Sequence, residues 1–332
     1  MTVPDILARP GHAIAEDVNS GRLSARLVAE AALAAIAAGN GRLGAFTDIT
    51  AERALAEASR VDARIAAGET LPLAGVPYSV KNLFDVEGIT TRAGSKINRD
   101  RPPAARDATL IERMGAAGAV LVGAVNMGEY AYDFTGENAH DGASLNPHDP
   151  SRMSGGSSGG SGTSVAAGMA ALSLGSDTNG SIRVPASFCG LYGLKPTFGR
   201  LSRARTFPFV HSLDHLGPLA RSPRDLALVL DALQGPDADD PALIGRPAVA
   251  AVADLRRGVG DLRIAVAGGY FRNGAGPEAL AAVAHVAGAL GAAREVEIPI
   301  AAAARAAAYL ITTSESSALY LDRLRSRAGD FD

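Results

Sequence analysis

The chain carries only three lysines, Lys81, Lys96 and Lys195, among its 32 basic residues. The imbalance matters because a desolvated lysine can give up its proton, whereas arginine effectively never does. Lys81 has suitable surroundings, since the apolar run at 74–80 leads directly into it. Serines are natural counterparts to such a base, a hydroxyl being a weak nucleophile until a neighbour takes its proton. Two serine-bearing, glycine-rich segments follow: SGGSSGGSG at 154–162 and LGSDTNGSIR at 174–183. A lysine acting as base must be neutral, so its pKa has to fall from about 10.4 toward roughly 7–8. Burial and hydrogen bonds to the neutral amine must then contribute on the order of 4 kcal/mol.

By composition alone the 154–162 run reads as a flexible linker. Its context argues otherwise: it is short, lies between ordered-looking segments and leads into a helix of small residues. Glycine there permits positive φ and close backbone approach, which a site built from main-chain N–H groups requires. A phosphate-binding loop needs a lysine at the end of the glycine run, and Gly162, Thr163 and Ser164 bring none. Residues 155–159 also fit the G-x-S-x-G elbow of α/β-hydrolases, with His211 or His215 as a following base. That elbow needs a strand running into the serine, and residues 146–153 (NPHDPSRM) read as a loop. The histidines are therefore read as surface or structural residues.

The elements that must position these side chains follow from periodicity and caps. Helices are expected at 24–38, capped by Ser24 and closed by Gly39, and at 50–67, ended by Gly68. A strand at 74–80, a helix to residue 117 capped by Asp107, and a strand at 119–125 come next. Periodicity disappears between 137 and 164. A helix at 165–171, a strand at 172–175 and a second loop at 176–185 then follow. Further on, helices are expected at 223–233, 277–290 and 301–325, with strands at 262–267 and 295–298. The acidic, proline-bearing stretch at 236–247 reads as an exposed excursion. This alternation indicates an α/β fold, with a mainly parallel or mixed sheet covered by helices.

A length of 332 residues suits one large α/β domain or two ordinary ones. A hydrophobic share of 47% against 20% charged residues is that of a packed, soluble protein. The net charge of −3 gives no basis for nucleic acid or an anionic membrane as partner. Cys189 is the only cysteine, which excludes an intrachain disulfide, argues against a cysteine zinc site and suits a reducing cytoplasm. The N-terminal residues lack the basic start and apolar run of a signal peptide. The apolar stretches at 115–128 and 165–175 are too short to span a bilayer.

Taken in order, PYSVKNLFD (77–85), SGGSSGGS (154–161) and LGSDTNGSIRVPASFCGLYGLKPT (174–197) resemble the amidase signature family. NPHDPSR at 146–152 and SLDHLGPLAR at 212–221 extend the resemblance, which covers roughly residues 21–235. It implies the amidase signature fold, an α/β single domain with a mixed central β-sheet flanked by helices on both faces. Its parts would be a helical segment (1–70), a catalytic core (71–235) and a C-terminal part (236–332). Lys81 matches the family's catalytic lysine. Ser157 matches the bridging serine, which follows a cis peptide bond, here after Gly156. Ser181, 24 residues on, matches the nucleophile. The N–H groups of Thr178, Asn179, Gly180 and Ser181 would form the oxyanion hole, with Asp177 and Arg183 bracing the loop. The implied chemistry is hydrolysis of an amide or ureido C–N bond through an acyl-enzyme, with no cofactor and no metal.

Within the family, Asn179 stands where many members have a further glycine before the nucleophile. TNGSIRVPAS, AGSKINRDRPPAARDATL (93–110), ENAHDG and TFPFVHSLDH (206–215) resemble the group of 1-carboxybiuret hydrolases. That likeness implies a small amide substrate, release of ammonia and a small helical partner subunit in a homo- or hetero-oligomer. An anionic substrate would want a guanidinium, for which Arg183 and Arg205 are the candidates. One alternative is the glutaminase subunit of a tRNA-dependent amidotransferase, from which Gly128 in NMGEY and DGASL at 141–145 depart. Another is a non-catalytic subunit. Family members continue well past 332 residues, so the C-terminal part is expected to be truncated, with open sheet edges, and the chain poorly soluble or inactive alone.

Overall fold

The computed structural model describes residues 6–292 and 294–332. The chain divides into two compact units. The first runs to Val252 and takes in Leu319–Asp332; the second is Ala253–Ala318. Every candidate site residue belongs to the first unit.

Six strands form the sheet of the first unit: β1 (Phe46–Ile49), β2 (Pro77–Lys81), β3 (Val120–Val125), β4 (Leu172–Asp177), β5 (Tyr192–Gly193) and β6 (His215–Ala220). Their order across the sheet is β1-β3-β2-β4-β6-β5. β2 runs parallel to both β3 and β4, and the remaining pairings are antiparallel. Every residue of β2, β3 and β4 is buried, so both faces of the sheet centre are covered. Because β2 and β4 run in the same direction, with Val80 level with Leu174, Lys81 and the Ser176–Asp177 end of β4 emerge at one edge. That edge, the carboxyl end of parallel strands, is where open α/β sheets place their sites.

The helices of this unit are α1 (Gly11–Asn19), α2 (Ala25–Leu43), α3 (Ala51–Ala66), α4 (Thr109–Ala116), α5 (Gly159–Ala166), α6 (Arg183–Phe188) and α7 (Pro223–Leu233). Ser24 caps α2 as expected, its side chain accepting from Leu27 N. The helix nevertheless continues through Gly39 to a left-handed C-cap at Gly44. Gly39 is there for closeness: a Cβ would stand 2.5 Å from Met169 Cε. Asp107 does not cap α4, whose N-cap is Ala108. It is held instead by the guanidinium of Arg53, at 2.6 and 2.8 Å.

The larger departure is α5. It begins inside the glycine-serine run, at Gly159, rather than at 165, and seven of its eight residues are buried. Strand β6 and helix α6 were not expected either. The 236–247 stretch is tied down by its acids: Asp240 accepts from Arg203 N at 2.7 Å, and Asp237 from Thr109 and Ser202 hydroxyls at 2.6 and 2.5 Å.

In the second unit β7 (Ala265–Ala267) pairs in parallel with β8 (Arg294–Val296), joined by α8 (Pro277–Ala289). Both strands are shorter than the sequence suggests. Helix α9 (Ala301–Arg327) follows. Its residues from 319 onward belong with the first unit, where the Arg323 guanidinium lies over the rings of Tyr130, Phe207 and Tyr320. Among the described residues no helix is long and apolar enough to cross a membrane.

Candidate active site

Lys81 ends β2 with its side chain fully buried. Its Nζ donates to Ser157 Oγ at 2.6 Å and to Ser176 Oγ at 3.0 Å. Burial disfavours the ammonium and pulls the Lys81 pKa down from 10.5 to about 7, against the opposing charges of Asp133, Asp177 and Asp214. A buried amine with two hydroxyl partners and no carboxylate in hydrogen-bond contact is the environment in which lysine can be neutral at physiological pH.

Ser157 is fully buried and lies two residues before α5, after the Gly156–Ser157 peptide, which is cis. Helix α5 packs on β2 and β4 and so carries Ser157 to the sheet edge where Lys81 emerges. The buried guanidinium of Arg221 fixes the far end of that helix, donating to the carbonyls of Val165 and Ala170 at 2.7 and 3.1 Å.

Ser181 is 4% exposed and sits in the short loop between β4 and α6. Asp177, with no exposed surface, organises this loop. Its Oδ1 accepts from Gly180 N at 2.8 Å and its Oδ2 from Ile182 N at 3.2 Å. Arg183 grips the same carboxylate from outside, Nε and Nη2 each at 2.9 Å. Burial alone would raise the Asp177 pKa, but the Arg183 hydrogen bonds and charge outweigh it and hold it below the usual carboxylate range. Gly180 adopts φ +146, a conformation that L side chains rarely reach.

The predicted residues are thus gathered at one edge of the sheet, with two changes of part. The Gly180 N–H, one of the four expected oxyanion donors, is bonded to Asp177 Oδ1. Arg183 is committed to Asp177, and Arg205 binds Asp107 O, Thr109, Glu112 and Asp239 at 2.6 to 3.0 Å. Neither guanidinium is set aside for an anionic substrate.

Three neighbours were missed. Ser176, the second partner of Lys81, was hidden by its own motif, where Asp177 and Ser181 drew the argument. Asp214 joins the nucleophile loop to the 206–214 loop: it accepts from Thr178 Oγ1 at 2.6 Å and from the amides of Phe209 and Val210 at 2.8 and 2.9 Å. Burial nonetheless raises its pKa. Asp133 is the third. A cavity of about 230 Å³ borders Ser176 and is walled by Arg203, Phe207, Phe209, Asp214 and Leu216 among others.

The hydrolase-elbow alternative does not fit. Residues 146–153 form a loop rather than a strand. His215 Nδ1 is paired with the carbonyls of Leu213 and Asp177, at 2.6 and 3.2 Å, and burial lowers its pKa. Among the described residues no cluster of His, Cys, Asp or Glu side chains could hold a metal ion.

Comparison with known proteins identifies the family. The sequence is 60% identical over 320 residues to AtzE, a 1-carboxybiuret hydrolase subunit of Pseudomonas sp. (strain ADP), covering 96% of this chain and 70% of that protein. It is 41% identical to a glutamyl-tRNA(Gln) amidotransferase subunit from Koribacter versatilis, covering 90% of this chain and 63% of the relative. The fold superposes with a TM-score of 0.96, at 59% identity, on a chain of a vestigial protein complex described as revealing the evolutionary origins of an s-triazine catabolic enzyme. That match covers 97% of this chain and 71% of the other. The peptide amidase of Stenotrophomonas maltophilia superposes with a TM-score of 0.84 at 31% identity, covering 96% of this chain and 68% of the enzyme. Since the Amidase family profile matches residues 27–329, the chain belongs to the amidase signature family.

Proposed function

We propose that this chain hydrolyses the C–N bond of a small amide or ureide through Ser181, Ser157 and Lys81. The observation that carries the reading is the fully buried Lys81 amine, 2.6 Å from Ser157 Oγ, with its pKa brought to about 7. A neutral Lys81 takes the Ser157 proton while Ser157 takes that of Ser181, whose Oγ forms the new bond to the carbonyl carbon. The developing oxyanion is held by amides of the 178–181 loop, those of Thr178, Asn179 and Ser181. Collapse breaks the C–N bond, and the departing nitrogen receives a proton back through Ser157 and leaves as ammonia. Water then cleaves the ester, releasing the acid and restoring the Ser181 hydroxyl.

The 60% identity to a 1-carboxybiuret hydrolase subunit supports a carboxybiuret-like substrate. The likeness to a chain of a vestigial protein complex supports a partner subunit, which the reading takes to be small and helical. The amidotransferase relatives are more distant, at 41% identity for the Koribacter protein, which makes glutamine the second substrate to try. The test is ammonia release from carboxybiuret, biuret and glutamine, with and without a co-expressed small partner. Release from a ureide, lost in Ser181→Ala, supports the proposal; release from glutamine alone transfers it to the amidotransferase reading. No labelling of Ser181 by a fluorophosphonate in either preparation would favour a non-catalytic subunit.

A further inference from the structure

A turn that the reaction above does not use holds the bridging serine. Gly156 N donates to Phe134 O at 2.9 Å, Gly155 N to Thr135 O at 3.0 Å, and Gly128 N to Ser157 O at 3.2 Å. Segments on both sides of Asp133 thus bond to the peptides on both sides of Ser157. The Asp133 carboxylate folds back on its own turn: Oδ1 accepts from the amide and hydroxyl of Thr135, each at 2.7 Å, and Oδ2 from Gly136 N at 2.8 Å. Aspartate bonded to the backbone two and three residues on fixes a turn in this way.

Two glycines make the room. A Cβ on Gly128 would lie 2.2 Å from Asp133 Cβ, and one on Gly156 would lie 2.0 Å from Asp133 Oδ2. Neither position accepts a side chain while Asp133 stands where it does. The charge matters as well. Of the acids that act on Lys81, Asp177 is neutralised by Arg183 and Asp214 is bound by Thr178 and two amides. The charge of Asp133, bound only by its own turn, is the largest of the three acting on Lys81.

We propose that Asp133 is a positioning residue of this site: its carboxylate, seated in the space left by Gly128 and Gly156, locks the 133–136 turn against Gly155 and Gly156. Ser157 Oγ is thereby kept in reach of Lys81, and the negative charge of the turn is held in a fixed place. The proposal rests on the hydrolase reading above.

The test is the pH dependence of fluorophosphonate labelling at Ser181, measured on the full chain. In Asp133→Asn the rate falls roughly 10- to 100-fold, less than the roughly 10²- to 10⁴-fold of general-base catalysis as a whole because the base itself is kept. The midpoint of the profile also moves down, because the Lys81 ammonium has lost a negative charge that favours it. A merely structural role would lower the rate and leave the midpoint in place. The second arm moves the carboxylate to the other side of the same space. Gly128→Asp and Asp133→Gly each label at least about tenfold more slowly than their double variant, the non-additivity expected of two positions sharing one site. This arm decides the matter where Asp133→Asn does not fold. Wild-type rate and midpoint in Asp133→Asn, or a double variant no faster than either single one, overturns the proposal. Wild-type chain that does not label at Ser181 overturns the hydrolase reading beneath it, so the two failures are distinguishable.

Discussion

The Nζ of Lys81 and the Oγ of Ser157 stand 2.6 Å apart although 76 residues separate them in the sequence. β2 brings one and the start of α5 brings the other, so the contact exists only while helix and sheet are packed. Both groups are fully buried, and the contact trades the hydration of a cation for a single hydroxyl partner and that of Ser176. The neutral amine is the form that such a place favours.

Activity should therefore follow the deprotonation of Lys81. Labelling of Ser181 is expected to rise with pH through about 7 as the amine loses its proton. Lys81→Arg keeps the charge but cannot shed it. It should be slower by about 10²- to 10⁴-fold, with no inflection near neutrality. Rates of fluorophosphonate labelling between pH 5 and 9 provide the check.

The same burial has a cost in stability, with the sign opposite to that of an ion-paired lysine. The folded pKa, about 7, lies below the ordinary 10.5. Between those values the unfolded chain binds more protons than the folded one, so stability rises with pH across the window. Below it, the fold carries the whole penalty of burying the ammonium. Lys81→Met should then stabilise the chain at pH 6 by about 1–3 kcal/mol, the gain reduced by the unpartnered hydroxyls of Ser157 and Ser176. At pH 10 the gain should nearly vanish. Thermal unfolding at the two pH values measures the difference, and equal shifts would count against a depressed pKa.

Asp177 gives stability the same direction of pH dependence, but as a contribution rather than a cost. Its buried carboxylate accepts from Gly180 N, Ile182 N and the Arg183 side chain, and its folded pKa is depressed. Its contribution is present above the ordinary carboxylate range and is lost as the pH falls through the folded value. Asp177→Ala leaves those donors, and a half-exposed Arg183, without their acceptor. A loss of about 2–4 kcal/mol is expected, with labelling of Ser181 abolished because the loop carrying it loses its brace. Denaturant unfolding at pH 7 reports the first effect and the probe the second.

The site was more legible in the sequence than the scaffold. An apolar strand running into a rare lysine, and serines in two compact glycine-rich segments, only made candidates; the resemblance of those motifs to the family gave them roles. The scaffold failed to show where local preference and tertiary packing disagree. β6 contains Gly217 and Pro218, which argue against a strand, yet it pairs along the whole of β4. A Cβ on Gly217 would come within 2.1 Å of Leu194 O, so the glycine serves a close backbone approach that no local pattern reveals. Asp107 has the chemistry of a cap, but Arg53, 54 residues away, competes for it and wins. Asp133 and Ser176 lay unnoticed because a single acid in a loop, or a single hydroxyl at the end of a short strand, carries no periodicity.

The glycine-serine run offers the sharpest contrast between composition and place. In a linker, Gly→Ala is neutral or stabilises slightly by narrowing the unfolded ensemble, by about 0.4–1 kcal/mol. In a helix interior, alanine is favoured over glycine by roughly 1 kcal/mol. Gly160, within α5, should contradict both expectations. A Cβ there would stand 2.5 Å from Ala45 O and 2.6 Å from both N and O of Asn126, all of them backbone atoms that cannot rotate away. Gly160→Ala is thus expected to destabilise the chain by about 1–3 kcal/mol, the range for an overpacked core position. It should also slow labelling of Ser181, since α5 must shift and Ser157 lies just before it. Gly115, in α4, has nothing within 4 Å of its ideal Cβ. Gly115→Ala should therefore gain about 0.5–1 kcal/mol and leave labelling unchanged. Chemical denaturation of the two variants side by side separates a helix packed on the sheet from a flexible tether, and equal effects at the two positions would argue for the tether.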